Sequence, residues 1–147
     1  MSINIHDNQP IYTISVAAGL LGISVHTIRM YEKESLIIPA KSPGNQRLYS
    51  KSDLERIICI RKTINEDKIS IAGIRGILLL IPCWDVMKCH SAAESCGAFK
   101  ETKQPCWAAK KKGGKCYDMD CKSCEVYISL GNCQKIKDKI VELTNNK

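Results

Sequence analysis

Nine cysteines stand in a chain of 147 residues, and eight of them fall after Pro82. Cys83, Cys89, Cys96, Cys106, Cys116, Cys121, Cys124 and Cys133 form a ladder, with Cys59 apart from it. A thiolate is a soft ligand that suits zinc, copper(I) and iron-sulfur clusters and does not suit magnesium or calcium. A zinc ribbon usually carries two close Cys-x2-Cys pairs, whereas this chain has one, Cys121 with Cys124. Cys116-x4-Cys121-x2-Cys124 instead reproduces the first three positions of a plant-type ferredoxin spacing, which tilts the balance slightly toward an iron-sulfur cluster. Zinc and a metal-free redox thiol module stay open beside it. In the ferredoxin-type spacing Cys133 or an upstream cysteine is available as the fourth ligand. Cys59 projects from an apolar helix face with no cysteine near it in sequence, and reads as an ordinary thiol.

The segment that carries the ladder has few large apolar residues, Trp84, Trp107, Phe99, Val86, Val126 and Ile128 among them. Ordering a residue costs roughly 1 to 2 kcal/mol, so residues 83–147 are expected to fold as a small irregular module around bound metal. A reducing cytosol disfavours structural disulfides, which also points to metal. Pro82-Cys83-Trp84 returns as Pro105-Cys106-Trp107, and the two tryptophans suit a miniature core. In these paired Cys-Trp steps and the closing Cys121-x-x-Cys124-Glu125-Val126-Tyr127, residues 83–128 resemble the two-CW type of bacterial cysteine-rich module. In that comparison Cys83, Cys89, Cys96, Cys106, Cys116, Cys121 and Cys124 match, which makes them the candidate metal ligands that the resemblance implies, and Cys133 looks extra. The resemblance names no metal.

Upstream, Val16 to Leu21 reads as a short helix that Gly22 ends, and Ser24 caps a second helix from Val25 to about Glu34. That helix sets Val25, Ile28 and Tyr31 on one side and His26, Arg29, Met30 and Lys33 on the other. Two short helices joined through Gly22-Ile23-Ser24 make a helix-turn-helix with a positive outward face. Leu36-Ile37-Ile38 and Arg47-Leu48-Tyr49, separated by Pro39 and the turn-rich Ser42-Pro43-Gly44-Asn45, predict a small hairpin, or wing. Ser50 or Ser52 can cap a third helix with Leu54, Ile57, Ile58 and Ile64 on one face. Ser70 can cap a fourth with Ile71, Ile74, Leu78 and Ile81, where Gly73 and Gly76 are expected to allow close packing on a neighbour.

These elements and their residues resemble the MerR family of winged-helix regulators. The resemblance is carried by Tyr12-Thr13-Ile14, Gly22-Ile23-Ser24, Thr27-Ile28-Arg29-Met30-Tyr31-Glu32, and Arg47-Leu48-Tyr49-Ser50 followed by Asp53-Leu54-Glu55. Ile14-Ser15-Val16-Ala17-Ala18 and Ala72-Gly73-Ile74 look further like its heat-shock repressor branch. The resemblance implies that the second helix enters the major groove of double-stranded DNA while the wing rides on the backbone. Arg29 then suits a bidentate contact to guanine, and His26 and Thr27 suit base edges. Tyr31, Lys33, Arg47 and Tyr49 suit phosphates, although both tyrosines could equally be packing residues. Met30 stands where many members carry tyrosine, and an apolar touch to a thymine methyl could replace that contact.

A formal charge of +7 fits a nucleic-acid partner, and no apolar run approaches the roughly 18 residues of a membrane span. The N-terminus does not read as a secretory signal, so the cytosol is the expected location. The expected fold is mainly α, a winged helix-turn-helix domain over residues 1–82 followed by the cysteine-rich module over 83–147. The expected function is sequence-specific transcriptional regulation, by a homodimer on an inverted repeat, with the cysteines sensing redox state, metal or stress. The alternative is a metal-delivery or electron-transfer protein whose helical domain binds protein. No nucleotide loop, zinc-hydrolase pair or serine-nucleophile motif suggests an enzyme. Lys110-Lys111-Lys112 with Lys115, and His90 beside Cys89, are secondary candidates for DNA and metal.

Overall fold

The computed structural model describes residues 6–81, 83–88, 96–97, 99–101, 103–109, 120–129, 131 and 133–145. Its N-terminal part is a winged helix-turn-helix built from serine and threonine caps. After a short strand β1 (Tyr12–Thr13), the Thr13 hydroxyl accepts from the Val16 amide and starts α1 (Ile14–Leu21). Gly22 ends α1 at φ 66°, a left-handed conformation that costs glycine little. Ser24 caps α2 (Val25–Lys33) through the Thr27 amide at 3.0 Å. The two helices meet at 107°, within the range of DNA-binding helix pairs.

The wing strands are β2 (Ala40–Lys41) and β3 (Arg47–Tyr49), and β3 lies between β2 and β1 in an antiparallel sheet. Tyr12 faces Tyr49 and Ala40 faces Leu48 across the ladder. The Ser50 side chain accepts from the Asp53 amide while the Asp53 carboxylate accepts from the Ser50 amide, a reciprocal cap that starts α3 (Lys51–Asn65). Ser70 caps α4 (Ile71–Leu79).

Beyond α4 the described pieces are short: α5 (Cys83–Val86), α6 (Cys106–Ala109), a 3-10 turn (Cys121–Ser123), α7 (Glu125–Ser129), and then α8 (Cys133–Asn145). These pieces do not build a core of their own. Val86 and Val126 belong to the same buried cluster as Ile28, Leu36, Ile57, Ile74 and Leu78, with Trp107 packed against it. The described apolar residues of the segment thus share the winged-helix core. Trp84 meets Phe99 edge-on at 4.9 Å and Trp107 meets Tyr127 edge-on at 5.3 Å, so both tryptophans pack against aromatic neighbours.

Three local expectations are corrected. Leu36-Ile37-Ile38 is not a strand. Ser35 takes a positive φ, the Leu36 amide bonds back to the Tyr31 carbonyl, and Leu36 and Ile37 sink into the core. The first wing strand therefore begins at Ala40. On α3, Ile58 faces outward at 56% exposure, and the buried stripe is Asp53, Arg56, Ile57 and Ile60. Gly73 does not let a neighbouring element approach: a methyl there would meet Ile69 and Ser70 of its own helix start, and one at Gly76 would meet nothing.

The backbone between α2 and the wing is held by side chains, most of them from the cysteine-rich segment. The Trp107 indole donates to the Ser35 carbonyl at 2.7 Å. Arg56 donates to the Leu36 carbonyl at 2.9 Å, the Ile38 amide donates to the Tyr127 hydroxyl at 2.9 Å, and Lys122 donates to the Ile38 carbonyl at 2.6 Å. Lys122 also sits 2.7 Å from the Asp53 carboxylate, an ion pair almost closed to solvent. Pro39 has no amide to offer a ladder, so these partners satisfy a connection that a sheet would leave unpaired.

Candidate functional site

Helix α2 presents His26, Arg29 and Lys33 to solvent, a stripe at positions i, i+3 and i+7. Thr27 is half-buried and its hydroxyl pairs with Ser24 at 2.8 Å, so it serves the cap. Met30 is also half-buried and packs against the core, away from the outward stripe on which it was expected. Tyr31 and Tyr49, expected on phosphates, are core residues with 2% and 0% exposure. Both belong to the buried core cluster, and the Tyr49 hydroxyl donates to Glu32. The packing role that the sequence allowed for both is the one the fold uses.

Glu32 ties the wing to α2. Its carboxylate accepts from Arg47 Nε at 2.7 Å and from the Tyr49 hydroxyl. Burial and the Glu32 contact push the Tyr49 phenol well above its ordinary range, so it stays a hydrogen-bond donor. The Arg47 guanidinium is raised by the same carboxylate and remains 40% exposed, so it can still face a phosphate beside its ion pair. In the sequence Glu32 stood only as the last residue of the Thr27–Glu32 motif, with no role of its own. Its signal was a carboxylate four residues after Ile28 on an otherwise apolar side of α2. Glu32→Ala removes both charge-assisted bonds, and since Arg47 is partly screened the expected loss is about 2 kcal/mol of stability in urea titration. A loss under about 0.5 kcal/mol, within the scatter of ordinary surface changes, would show that the wing does not depend on this tie.

An exposed cationic stripe on the second helix of a 107° pair, backed by a capped wing, has a counterpart among known sequences: residues 12–80 match the model of the MerR HTH family regulatory proteins. The N-terminal half is a MerR-family helix-turn-helix domain. A Streptomyces coelicolor protein bearing the name heat shock protein HspR is 35% identical over 74 residues, half of this chain and 49% of that one. The HTH-type transcriptional regulator GlnR of Bacillus cereus is 31% identical over 73 residues, 50% of this chain and 56% of that one. The regulator ZntR homolog of Haemophilus influenzae is 41% identical over 68 residues, 46% of this chain and 50% of that one. The chain spans about half the length of these relatives. Identities of 31% to 41% to regulators of three names support the MerR domain as a whole and do not single out the heat-shock branch.

None of the described cysteines is on the outward stripe of α2. Cys59 of α3 and Cys133 at the start of α8 form a disulfide with a Cα–Cα distance of 5.5 Å, so neither is the ordinary or surplus thiol that the sequence suggested. Cys83, Cys96, Cys106, Cys121 and Cys124 are outside disulfides, and Cys96 is buried. Cys124 Sγ lies 3.6 Å from the Met87 sulfur. Cys83 and Cys106, the two cysteines of the Pro-Cys-Trp repeat, line one small cavity, and the neighbouring Cys106 pulls the Cys83 thiol down to about 7. Cys89, Cys116, His90 and the Lys110–Lys112 and Lys115 cluster lie outside the described residues. Among the described residues no three His, Cys, Asp or Glu side chains converge as a metal would require. The described donors therefore do not build an iron-sulfur or zinc centre by themselves. No single described helix is long and apolar enough to cross a membrane.

Proposed function

We propose that the chain is a sequence-specific DNA-binding transcription regulator, working as a homodimer on an inverted repeat, whose cysteine-rich segment sets its DNA-binding state through thiol redox chemistry. The observation that carries the redox part is where the segment is attached. Trp107, Lys122 and Tyr127 hold Ser35 and Ile38, the short connection between the groove-facing helix and the wing. The Cys59–Cys133 bond adds a covalent tie from the same region to α3. A change in the segment is thereby felt at the joint that sets the angle between α2 and the wing. Disulfides in a reducing compartment are usually conditional, which suits a sensor.

Retardation of DNA from the protein's own upstream region, compared with random DNA, tests the DNA reading. Oxidised and dithiothreitol-reduced samples should then differ in specific affinity, and equal affinity would remove the redox reading. Within the site, Arg29→Ala should cost about 1 to 3 kcal/mol at the preferred sequence and less on random DNA. Equal losses on both would make Arg29 a phosphate contact. Sedimentation with and without an inverted-repeat duplex checks the dimer.

A further inference from the structure

We propose that the cavity between the start of α3 and the cysteine-rich segment is a binding site for a small carboxylic acid, a monoanion with an apolar body whose carboxylate pairs with Arg56. The cavity holds about 400 Å³, the size of a small-molecule site. Pro10 borders it on the N-terminal side, Ser52 and Arg56 come from α3, and Lys122 and Tyr127 come from the cysteine-rich segment, so it exists only where the two halves meet.

The charged groups of this wall differ in what they have left to give. Lys122 spends its ammonium protons on the Ile38 carbonyl and both Asp53 oxygens. Asp53 also accepts from the Ser50 amide and hydroxyl, so its lone pairs are taken. Arg56 is different. Its Nε and Nη1 donate to the neutral carbonyls of Leu36 and Tyr127, while its buried Nη2 finds no acceptor among the described residues. Asp53 favours the Arg56 charge through space, but that carboxylate is already paired with Lys122. Asp120, the other carboxylate of the wall, is exposed and accepts from the Lys122 amide and the Ser123 hydroxyl. Two cations thus share one inner carboxylate, and a buried charge is stable only when paired. A monoanion supplies the missing charge, and the two oxygens of a carboxylate match a guanidinium edge. Pro10, Tyr127 and Ile128 offer its body apolar contacts. Arg56 also borders a second cavity, but that one holds about 70 Å³, has mostly aliphatic walls and carries no carboxylate. Nη2 is closed to solvent in this structure, so the carboxylate must ease the wall apart to reach it, and Tyr127, whose carbonyl Arg56 holds, should register the shift.

Benzoate is the probe, and benzamide, of the same shape without the charge, is its control. Each is titrated at constant ionic strength into the full chain labelled with nitrogen-15. Benzoate should saturably move the Arg56 Nε signal and the amides of Ser52 and Tyr127, and benzamide should bind at least tenfold more weakly. Arg56→Met should abolish the shifts at Ser52 and Tyr127. Because Arg56 also holds the fold together, Ser52→Trp, which keeps the guanidinium and fills the cavity, is the second variant and should weaken benzoate at least tenfold. Helical circular dichroism checks that both variants fold. Absence of saturable shifts in the parent, equal affinity for benzamide, or parental affinity in Ser52→Trp overturns the site.

Discussion

Arg56→Ala should destabilise the protein by about 4 kcal/mol, lowering the thermal midpoint by roughly 10 °C. The side chain is 4% exposed and reaches both parts of the fold. Its Nε donates to Leu36 in the joint before the wing, its Nη1 donates to the Tyr127 carbonyl of α7 at 2.8 Å, and its guanidinium lies 3.8 Å from the Tyr127 ring centre. Truncation orphans two buried carbonyls, at roughly 1 to 3 kcal/mol each, and removes a desolvated cation–π contact. Burial also pulls the guanidinium below its ordinary range, so holding the charge there has a cost. Nη2 finds no acceptor among the described residues, which adds to that cost. Arg56→Met removes the same charge as alanine but keeps most of the volume, so it should lose only about half as much. Equal losses for Ala and Met would assign the effect to the carbonyls alone, and a loss under 1 kcal/mol for Ala would mean that Arg56 is not the clamp described.

Arg56 also shows where the sequence stopped being readable. The caps were legible because Ser24, Ser50 and Ser70 act on amides three residues away, and Gly22 acts on its own φ. The cationic stripe of α2 was legible for the same reason, since helical period alone puts His26, Arg29 and Lys33 together. The face of α3 was not. Its apolar residues suggest a stripe through Ile58, whereas the buried stripe contains Asp53 and Arg56, whose partners Lys122 and Tyr127 lie 69 and 71 residues downstream. A charge is expected to face water unless something pairs it, and local sequence cannot supply that something. Leu36 to Ile38 failed similarly: β-branched and apolar, it looks like a strand, but apart from the Leu36 amide, which turns back to Tyr31, its bonds go to side chains far along the chain. Tyr31 and Tyr49 were ambiguous because a phenol suits a phosphate and a core equally, and only burial separates the two.

The Cys59–Cys133 bond was illegible for the same reason, and its removal should have an effect as large as that of Arg56. The two cysteines are 74 residues apart, and closing a loop of that length restrains the unfolded chain by about 4 kcal/mol in the loop-entropy account. The Cys59→Ser protein, compared with the oxidised parent, should therefore unfold at a urea concentration lower by about 2 M, for a slope near 2 kcal/mol/M. Cys133→Ser should match it, because either change opens the same loop, and the two together should lose no more than one alone. Dithiothreitol should bring the parent down to the variants and leave the variants where they were. That last comparison decides whether the stabilisation is covalent: packing losses from serine would persist under reductant, while a disulfide contribution vanishes. Since the bond joins α3 to the start of α8, its opening should also be felt first at the seam that holds Ser35 to Ile38. Hydrogen exchange at the Ile38 amide, which donates to Tyr127, should accelerate in the reduced parent and in both variants alike. An Ile38 amide equally protected in oxidised and reduced protein would confine the bond to global stability and detach it from the joint between α2 and the wing.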